Sequence, residues 1–259
     1  MKITILGCGS SAGVPSIARG FGDCDPNNKK NIRTRSSVLI EEDGRRLLID
    51  TSADLRTQFL RENIKYINGV LFTHDHFDHT GGLVDLRDIN RLMNSVLNIY
   101  GSKETLESLE QRFPFVFAPP RMLGDLYLTP YTKPNILEPS TCTEIAGFKV
   151  STCNQHHGFI KSFGYRVDDF GYITDFSDII DDYHEIFKGI KKLVIGCQTI
   201  DNKPCPIHAN LNEVLRIVKE LEVERAYLTH MCPSVDYEHV KTLIPANVEP
   251  AYDGMVFEI

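Results

Sequence analysis

The chain has 259 residues, of which 42% are hydrophobic and 24% charged, a composition typical of a globular protein with a sizeable core. Its 35 acidic and 28 basic side chains give a net charge of −7, which argues against broad nonspecific binding to nucleic acid. No apolar run approaches the roughly 18 residues of a membrane span, and the first residues lack the apolar core of a signal peptide. Seven cysteines without regular spacing are typical of a reduced, cytoplasmic protein.

The first fifth of the chain is predicted to form strands joined by loops. Residues 2–6 form a strand, and the Gly/Ser-rich loop that follows contains Ser10 and Ser11. Such a loop can turn backbone N–H groups toward an anion, although a plain tight turn would have the same composition. Residues 36–42 and 45–50 are predicted to form a hairpin, and residues 54–62 a helix that Ser52 would cap.

The densest group of chemically active side chains follows an apolar run over residues 70–72, which is typical of a buried strand. His74, His76, Asp78 and His79 lie within six residues, immediately before Gly81 and a second glycine. Since His74 and His76 are two positions apart, their side chains point the same way in an extended segment. Three imidazoles and a carboxylate at a strand end are suitable ligands for zinc or a similar metal.

Further polar side chains follow predicted strands later in the chain. The strand over residues 148–152 leads to two adjacent histidines, a hairpin over 164–167 and 171–174 ends at an aspartate, and the strand over 225–229 ends at a histidine; these side chains are His156, His157, Asp175 and His230. Residues 179–188 are predicted to be helical, with Asp178 as the cap. Asn210 and Glu213 have the spacing of a capping box, which places His208 just before a helix N-terminus, where an anion is favoured.

The six residues from His74 to His79 match the H-x-H-x-D-H motif, and the chain therefore resembles the metallo-β-lactamase superfamily. This resemblance implies an α/β fold, a four-layer αββα sandwich, with one or two metal ions at the edge of its two sheets. The opening loop and residues 249–255 resemble the PhnP-like cyclic-phosphate phosphodiesterases in particular. Because the candidate ligands run from His74 to His230, one domain over residues 1–259 must bring them together.

The resemblance implies a hydrolase with two divalent metal ions, Zn²⁺ or Mn²⁺, which share a hydroxide that attacks a cyclic or other small phosphodiester. One ion would be held by three histidines, which are His74, His76 and His157. The other would be held by an aspartate and two histidines, which are Asp78, His79 and His230. A second aspartate, Asp175, would lie between the two ions. Asp78 would also orient the attacking group, His208 would act on the leaving oxygen, and Ser10 and Ser11 would contact substrate. The position of the histidine relative to the Gly164-Tyr165 pair favours His157 over His156. Cys24 and Cys232 do not complete the cysteine cluster of an additional structural zinc site.

Several other functions remain open at this point. A transfer-RNA 3′-end endonuclease shares the fold but needs a basic RNA-binding arm, and thioesterases and lactonases use the same metal centre. A di-iron redox module is another class, but its members usually have glutamate at the position of His76. A non-catalytic scaffold stabilised by metal is a further alternative. A homodimer is expected from the resemblance.

Overall fold

In a computed structural model of the chain, residues 1–124 and 126–259 are described. The α-helices are α1 Leu55–Arg61, α2 Phe77–Thr80, α3 Leu86–Met93, α4 Lys103–Arg112, α5 Pro114–Phe117, α6 Tyr183–Ile186, α7 Leu211–Glu220 and α8 Tyr237–Lys241. Short 3₁₀ helices span Lys29–Asn31 and Gly81–Asp85. The strands up to the middle of the chain are β1 Lys2–Gly7, β2 Ser37–Glu42, β3 Arg45–Ile49, β4 Gly69–Leu71, β5 Leu97–Gly101, β6 Met122–Leu123, β7 Leu126–Tyr127 and β8 Thr132–Ile136. The remaining strands are β9 Cys142–Ile145, β10 Phe148–His157, β11 Ile160–Val167, β12 Phe170–Ile173, β13 Asp178–Ile179, β14 Lys192–Gly196, β15 Arg225–Thr229, β16 Val248–Pro250 and β17 Val256–Glu258.

Among the described residues, two large sheets account for most of the strands. The first sheet has the order β17-β1-β2-β3-β4-β5-β8, and the second the order β13-β10-β11-β12-β14-β15-β16, with β9 paired to β10. In the second sheet β12, β14, β15 and β16 are parallel, so their carboxyl ends lie at one edge. None of the described helices is both long enough and apolar enough to span a bilayer.

Alternation along the strands of the first sheet directs its side chains into two separate cores. Ile3, Ile5, Val38 and Ile40 point to the face that packs against the second sheet. The intervening residues point to the opposite face and pack against helices α1, α3 and α4; they include Leu6, Leu39, Leu48 and Val70. Helices α7 and α8 pack on the outside of the second sheet through Val214, Ile217, Val218 and Val240. The order helix, sheet, sheet, helix confirms the predicted sandwich.

Two local predictions differ from the structure. Ser52 does not cap α1: the N-cap is Asp54, and the Ser52 hydroxyl accepts a hydrogen bond from the Asp54 N–H instead. Residues 179–188 are not one helix either, because Asp178 and Ile179 form β13 against β10, and α6 begins only at Tyr183 with Asp182 as its cap. The capping box of Asn210 and Glu213 at the start of α7 is confirmed.

Candidate metal centre

The H-x-H-x-D-H segment connects the first sheet to a short helix. It begins three residues after β4, passes through an extended stretch and enters α2, so His74 and His76 precede the helix while Asp78 and His79 lie in its first turn. His74, Asp78 and His79 are buried, whereas His76 is exposed. Gly82 allows the segment to lie against the start of α1, since a Cβ at this position would overlap the Leu55 side chain.

The second sheet supplies the other predicted ligands from the ends of its strands. His157 is the last residue of β10, Asp175 follows β12, and His230 follows β15 directly. All three are at least 97% buried. The sheet edge therefore presents two imidazoles and a carboxylate toward the histidine segment of the first sheet.

Asp175 lies at the middle of the cluster. One of its oxygens, Oδ2, is 3.0 Å from His79 Nε2, and the other, Oδ1, is 3.2 Å from His230 Nε2 and 3.7 Å from His157 Nε2. Asp78 Oδ2 is 3.2 Å from His79 Nε2. One carboxylate therefore contacts histidines that come from both sheets.

Potential ligand atoms within 4.8 Å of one another define two separate groups without a shared residue. The first group comprises His74, His76 and His157, and the second comprises Asp78, His79 and His230. These are the two sets that the resemblance implied. Asp175 forms a further group with His74 and His79, and another with His157 and His208.

Several nitrogen atoms at the centre are buried without a hydrogen-bond partner. They are the Nε2 atoms of His74, His79 and His230. Leaving such a group buried and unpaired costs about 1–3 kcal/mol. Although carboxylate oxygens lie near two of these atoms, the angles are not those of hydrogen bonds, and the atoms converge as ligands around a cation would. The residues present thus fit a divalent metal ion.

Asp50 orients two of the histidines from beneath the centre. Its Oδ1 accepts a hydrogen bond of 2.8 Å from the Thr73 N–H, and its Oδ2 lies 2.8 Å from the Thr73 hydroxyl and 2.7 Å from His79 Nδ1. The Thr73 hydroxyl is also 3.0 Å from His74 Nδ1. Since a carboxylate can only accept, His79 donates from Nδ1, and Nε2 is the nitrogen that would bind a metal.

Two further partners of the histidines are distant in sequence. His157 Nδ1 donates to the Ile207 carbonyl over 2.6 Å, which leaves Nε2 facing the centre. His230 Nδ1 lies 3.3 Å from the Ser36 hydroxyl. No short sequence pattern identifies Thr73, Ser36 or the Ile207 carbonyl as partners of these histidines, and sequence reasoning did not find them.

Burial and mutual proximity set the charge of the cluster. Burial lowers the pKa of His74 well below its ordinary value and also lowers that of His230. For His79, burial acts in the same direction, but the Asp175 and Asp78 carboxylates outweigh it and raise the pKa well above its ordinary value. Burial opposes ionisation of Asp175, yet His230 and His79 hold its pKa well below the usual range. The field at the centre of the cluster therefore attracts positive charge.

The choice between the two adjacent histidines follows from strand alternation. The strand β10 extends through both residues, so their side chains point to opposite faces. His157 is buried at the centre, whereas His156 is exposed and pairs across the strands with Asp178. Only His157 lies with the other predicted ligands.

A cavity of about 400 Å³ opens beside the cluster. It is lined by cluster residues and by Ser11, Phe159, Ile160, Ile207 and His208. His208 Nδ1 is 3.6 Å from Asp175 Oδ1, and burial lowers the pKa of His208 to about 3, against the opposing effect of Asp175. Ser11 faces the cavity. Ser10 is buried instead, and its backbone N–H donates a hydrogen bond to the Met231 carbonyl.

The two cysteines considered for a structural zinc site lie near one loop. Cys24 Sγ is 3.4 Å from the Pro233 carbonyl, and Cys232 Sγ is 3.0 Å from the Ser234 hydroxyl. Burial raises the pKa of the Cys24 thiol. The polar neighbours of the two thiols are thus a backbone carbonyl and a serine hydroxyl.

Comparison with known sequences identifies relatives along nearly the whole chain. Residues 45–231 match the family described as the β-lactamase superfamily domain. An octanoyltransferase of Porphyromonas gingivalis is 31% identical over 98% of this chain and 51% of its own length. Coenzyme PQQ synthesis protein B of Xanthomonas campestris is 28% identical over 52% of this chain and 52% of its own. The chain thus spans about half the length of these curated relatives.

Solved structures give the same family. A diphosphatase from the PhnP family is 30% identical, with a TM-score of 0.89 over 100% of this chain and 97% of the other. Zn²⁺-bound PqqB from Methylobacterium extorquens is 17% identical over the full length of both chains, with a TM-score of 0.78. Human tRNase Z, short form, is 20% identical over 100% of this chain and 99% of the other, with a TM-score of 0.70. The last two likenesses concern the fold alone. Together with the histidine and aspartate cluster, the superfamily match and the likeness to the PhnP-family structure place this chain among the metallo-β-lactamase-fold hydrolases, in their PhnP-like branch.

Proposed function

We propose that this protein is a phosphodiesterase that uses two divalent metal ions, Zn²⁺ or Mn²⁺, to hydrolyse a small, cyclic or otherwise substituted phosphodiester. The observation that carries the proposal is the pair of three-residue groups, with Asp175 in contact with histidines of both. In this proposal His74, His76 and His157 bind one ion, Asp78, His79 and His230 bind the other, and Asp175 binds both.

The charge of the site favours an anionic substrate over a neutral ester or thioester. The ligand set contains only the carboxylates of Asp78 and Asp175, so two divalent cations would leave a net positive charge facing the cavity. A phosphodiester carries one negative charge, and its hydrolysis depends mainly on positioning and electrostatic stabilisation. The likeness to a PhnP-family diphosphatase, at 30% identity, supports a substrate that carries a phosphoryl group.

When bound, two divalent ions supply positive charge to the phosphoryl oxygens and lower the pKa of a water molecule to about 7. The protein's own residues orient the reactants. The Asp78 carboxylate lies at the cavity wall, where it accepts a hydrogen bond from the attacking water and fixes its direction. The water oxygen bonds to phosphorus and releases a proton to solvent, the bond between phosphorus and the leaving oxygen breaks, and the leaving oxygen takes up a proton from solvent.

His208 is placed to act on that leaving oxygen. Its ring lies beside those of His157 and His230, with centroids 4.9 and 5.2 Å away, and its Nδ1 belongs to one of the groups around Asp175. A substrate phosphoryl group at the cluster therefore has His208 on its flank, as a hydrogen-bond donor to the departing oxygen. Ser11, on the same cavity wall, would contact the phosphoryl group, with Ser10 holding the loop behind it.

The test combines metal analysis with a substrate screen on the purified protein. Inductively coupled plasma mass spectrometry should find close to two equivalents of zinc or manganese per chain. Among cyclic nucleotides, bis-p-nitrophenyl phosphate, an acyl thioester, a lactone and a precursor transfer RNA, we expect turnover of the small phosphodiesters. Hydrolysis of the thioester or the lactone with no turnover of any phosphodiester would refute the proposal, and an iron-containing, coloured protein would favour redox chemistry instead.

Other expectations belong to the same proposal. A small phosphodiester is the expected partner, the acidic net charge of −7 argues against nucleic acid as a general ligand, and no membrane partner is expected. The single domain over residues 1–259, the homodimer and the cytoplasmic location also remain predictions. Size-exclusion chromatography with light scattering tests the dimer directly.

A further inference from the structure

A second cavity adjoins the metal centre. Its volume is about 560 Å³, within the range of small-molecule sites. It shares Phe159 and Ile160 with the cavity beside the cluster, and its wall includes Asp75, which lies between His74 and His76 in the chain. The two cavities are therefore adjacent, with these two residues at their common border.

Phe159 lies at the boundary between the two cavities. It occupies the turn between β10 and β11, directly after Gly158 with a φ of 61°. Its ring is fully exposed, so the side chain contributes nothing to the core. An aromatic group of a ligand at this boundary can stack with the ring.

The charges around the second cavity indicate what it can hold. Lys103 and Lys161 face it, but so do the carboxylates of Asp75, Glu104 and Glu138. Asp75 is additionally neutralised by Arg112, at 3.3 Å. Since cations and anions are nearly balanced, this cavity is unsuited to a second phosphate.

The uncharged wall is partly apolar and partly polar. Ile136 and Phe163 line it with apolar side chains, and Ser102, Thr105 and Asn154 line it with polar ones, of which the Ser102 and Thr105 hydroxyls are hydrogen-bonded to each other. A flat ring with polar edges, such as a nucleoside base or a substituted aryl group, matches this combination. A methyl or another small alkyl group would leave most of the volume to water.

We propose that the second cavity binds the uncharged, ring-bearing substituent of the phosphodiester substrate, stacked on Phe159, and so determines specificity. This inference rests on the proposed function, because it assumes that the phosphoryl group lies at the metal centre. It narrows the substrate class to phosphodiesters with a nucleoside-sized or aryl substituent.

The test compares substrates that release the same leaving group. Methyl p-nitrophenyl phosphate and thymidine 5′-p-nitrophenyl phosphate differ only in the group that remains on phosphorus. The wild-type holoenzyme should prefer the thymidine ester by about tenfold or more in kcat/KM, within the range for stacking of one base on an aromatic side chain. Phe159→Ala should remove most of this preference, mainly by raising KM, whereas Phe159→Tyr should retain it.

A second variant blocks the cavity from its other side. Ile136 is half exposed on β8, so Ile136→Trp can fill the space without disturbing the core. It should lower kcat/KM for the thymidine ester at least five times more than for the methyl ester. The matched control is Phe115→Ala, since Phe115 is an exposed phenylalanine on α5 that lines neither cavity. Metal content should equal that of the wild type in all four variants.

Binding measurements separate failure of this inference from failure of the proposed function. Isothermal titration calorimetry of thymidine 5′-phosphate against methyl phosphate reports the substituent's contribution without turnover. If the wild type hydrolyses neither ester but binds thymidine 5′-phosphate at least tenfold more tightly, and Phe159→Ala removes the difference, the cavity assignment stands while the phosphodiesterase assignment falls. If both esters are hydrolysed alike, or if Phe159→Ala and Ile136→Trp affect both equally, the cavity assignment is wrong.

Discussion

Replacement of Asp50 by asparagine tests whether the metal centre depends on a carboxylate that touches no metal. Asp50 is fully buried, and its Oδ2 lies between the Thr73 hydroxyl and His79 Nδ1. In Asp50→Asn, the remaining oxygen can still accept from the Thr73 N–H, but an NH₂ group then faces two donors. The Thr73 hydroxyl can rotate to accept, whereas His79 can accept at Nδ1 only by moving its proton to Nε2. The substitution therefore removes the lone pair that points into the centre.

The expected losses of metal affinity and of folding stability in Asp50→Asn follow from these contacts. Loss of a partner that fixes a metal-binding histidine typically lowers metal affinity about 10- to 100-fold, equivalent to about 1.4–2.7 kcal/mol. Replacing two hydrogen bonds to a charged carboxylate by two neutral ones of reversed direction should cost about 2–3 kcal/mol of folding stability. The site formed by Asp78, His79 and His230 should be weakened first, because His79 belongs to it.

The assay is a zinc competition titration with a chromogenic chelator, together with urea unfolding in the presence of EDTA. Asp253→Asn provides the control, because the Asp253 carboxylate, whose side chain is 10% exposed, also accepts from a threonine N–H and hydroxyl, at Thr34, but is paired with Arg61 and not with a histidine. Both variants should lose stability, and only Asp50→Asn should lose metal affinity. Equal zinc affinities in the two variants would refute the orienting role of Asp50.

The other predictions concern single side chains and the metal itself. His157→Ala should lose metal measured by mass spectrometry while His156→Ala retains it, because only His157 faces the centre; equal metal content in both would contradict this. His208→Ala should keep its metal but lose turnover of bis-p-nitrophenyl phosphate by about 100-fold or more, and full activity would remove His208 from the mechanism. Removal of metal by EDTA should lower the melting temperature by at least about 5 °C in differential scanning fluorimetry, since a ligand at 100 times its Kd contributes about 2.7 kcal/mol; an unchanged value would mean that no metal stabilises the fold. Gly82→Ala should cost about 1–3 kcal/mol in urea unfolding and reduce metal content, because its Cβ would overlap Leu55, and wild-type values in both measurements would show that the segment tolerates displacement.

The sheets could be predicted from sequence because apolar alternation and turn residues determine strands locally. The strand over residues 225–229 was predicted with the bounds that β15 has, and the first hairpin differs from its prediction by one residue at two of its ends. The predicted helix over residues 179–188 fails for the opposite reason. Asp178 and Ile179 pair with His156 and Gln155 of β10, and no local pattern reveals such a contact.

In the candidate site, too, one part could be predicted from the sequence and another could not. The sequence indicates side chains that can bind metal, because imidazoles and carboxylates at strand ends are chemically recognisable. It does not indicate what holds them, because those partners are common residues that are brought close only by folding. Ser36 lies 194 positions from His230, and the Ile207 carbonyl is 50 positions from His157. The second cavity is equally invisible in sequence, since its walls come from α4, β8, β10 and β11.

Backbone conformation links the strand ends to the chemistry of the site. Asp50, Asp175 and His230 each follow a strand and have φ values of 62°, 51° and 54°, in the left-handed region that residues other than glycine seldom occupy. Each such conformation costs about 1–3 kcal/mol and persists only where surrounding contacts enforce it. Here those contacts are the hydrogen bonds of Asp50 to Thr73 and the ion pairs of Asp175 with the histidines. Glycine would relieve the strain at all three positions but would remove the side chains that form the centre. Seven other residues of the described chain also have a positive φ, so it is the convergence of these three strand ends on one cluster, and not the backbone conformation alone, that links them to the site.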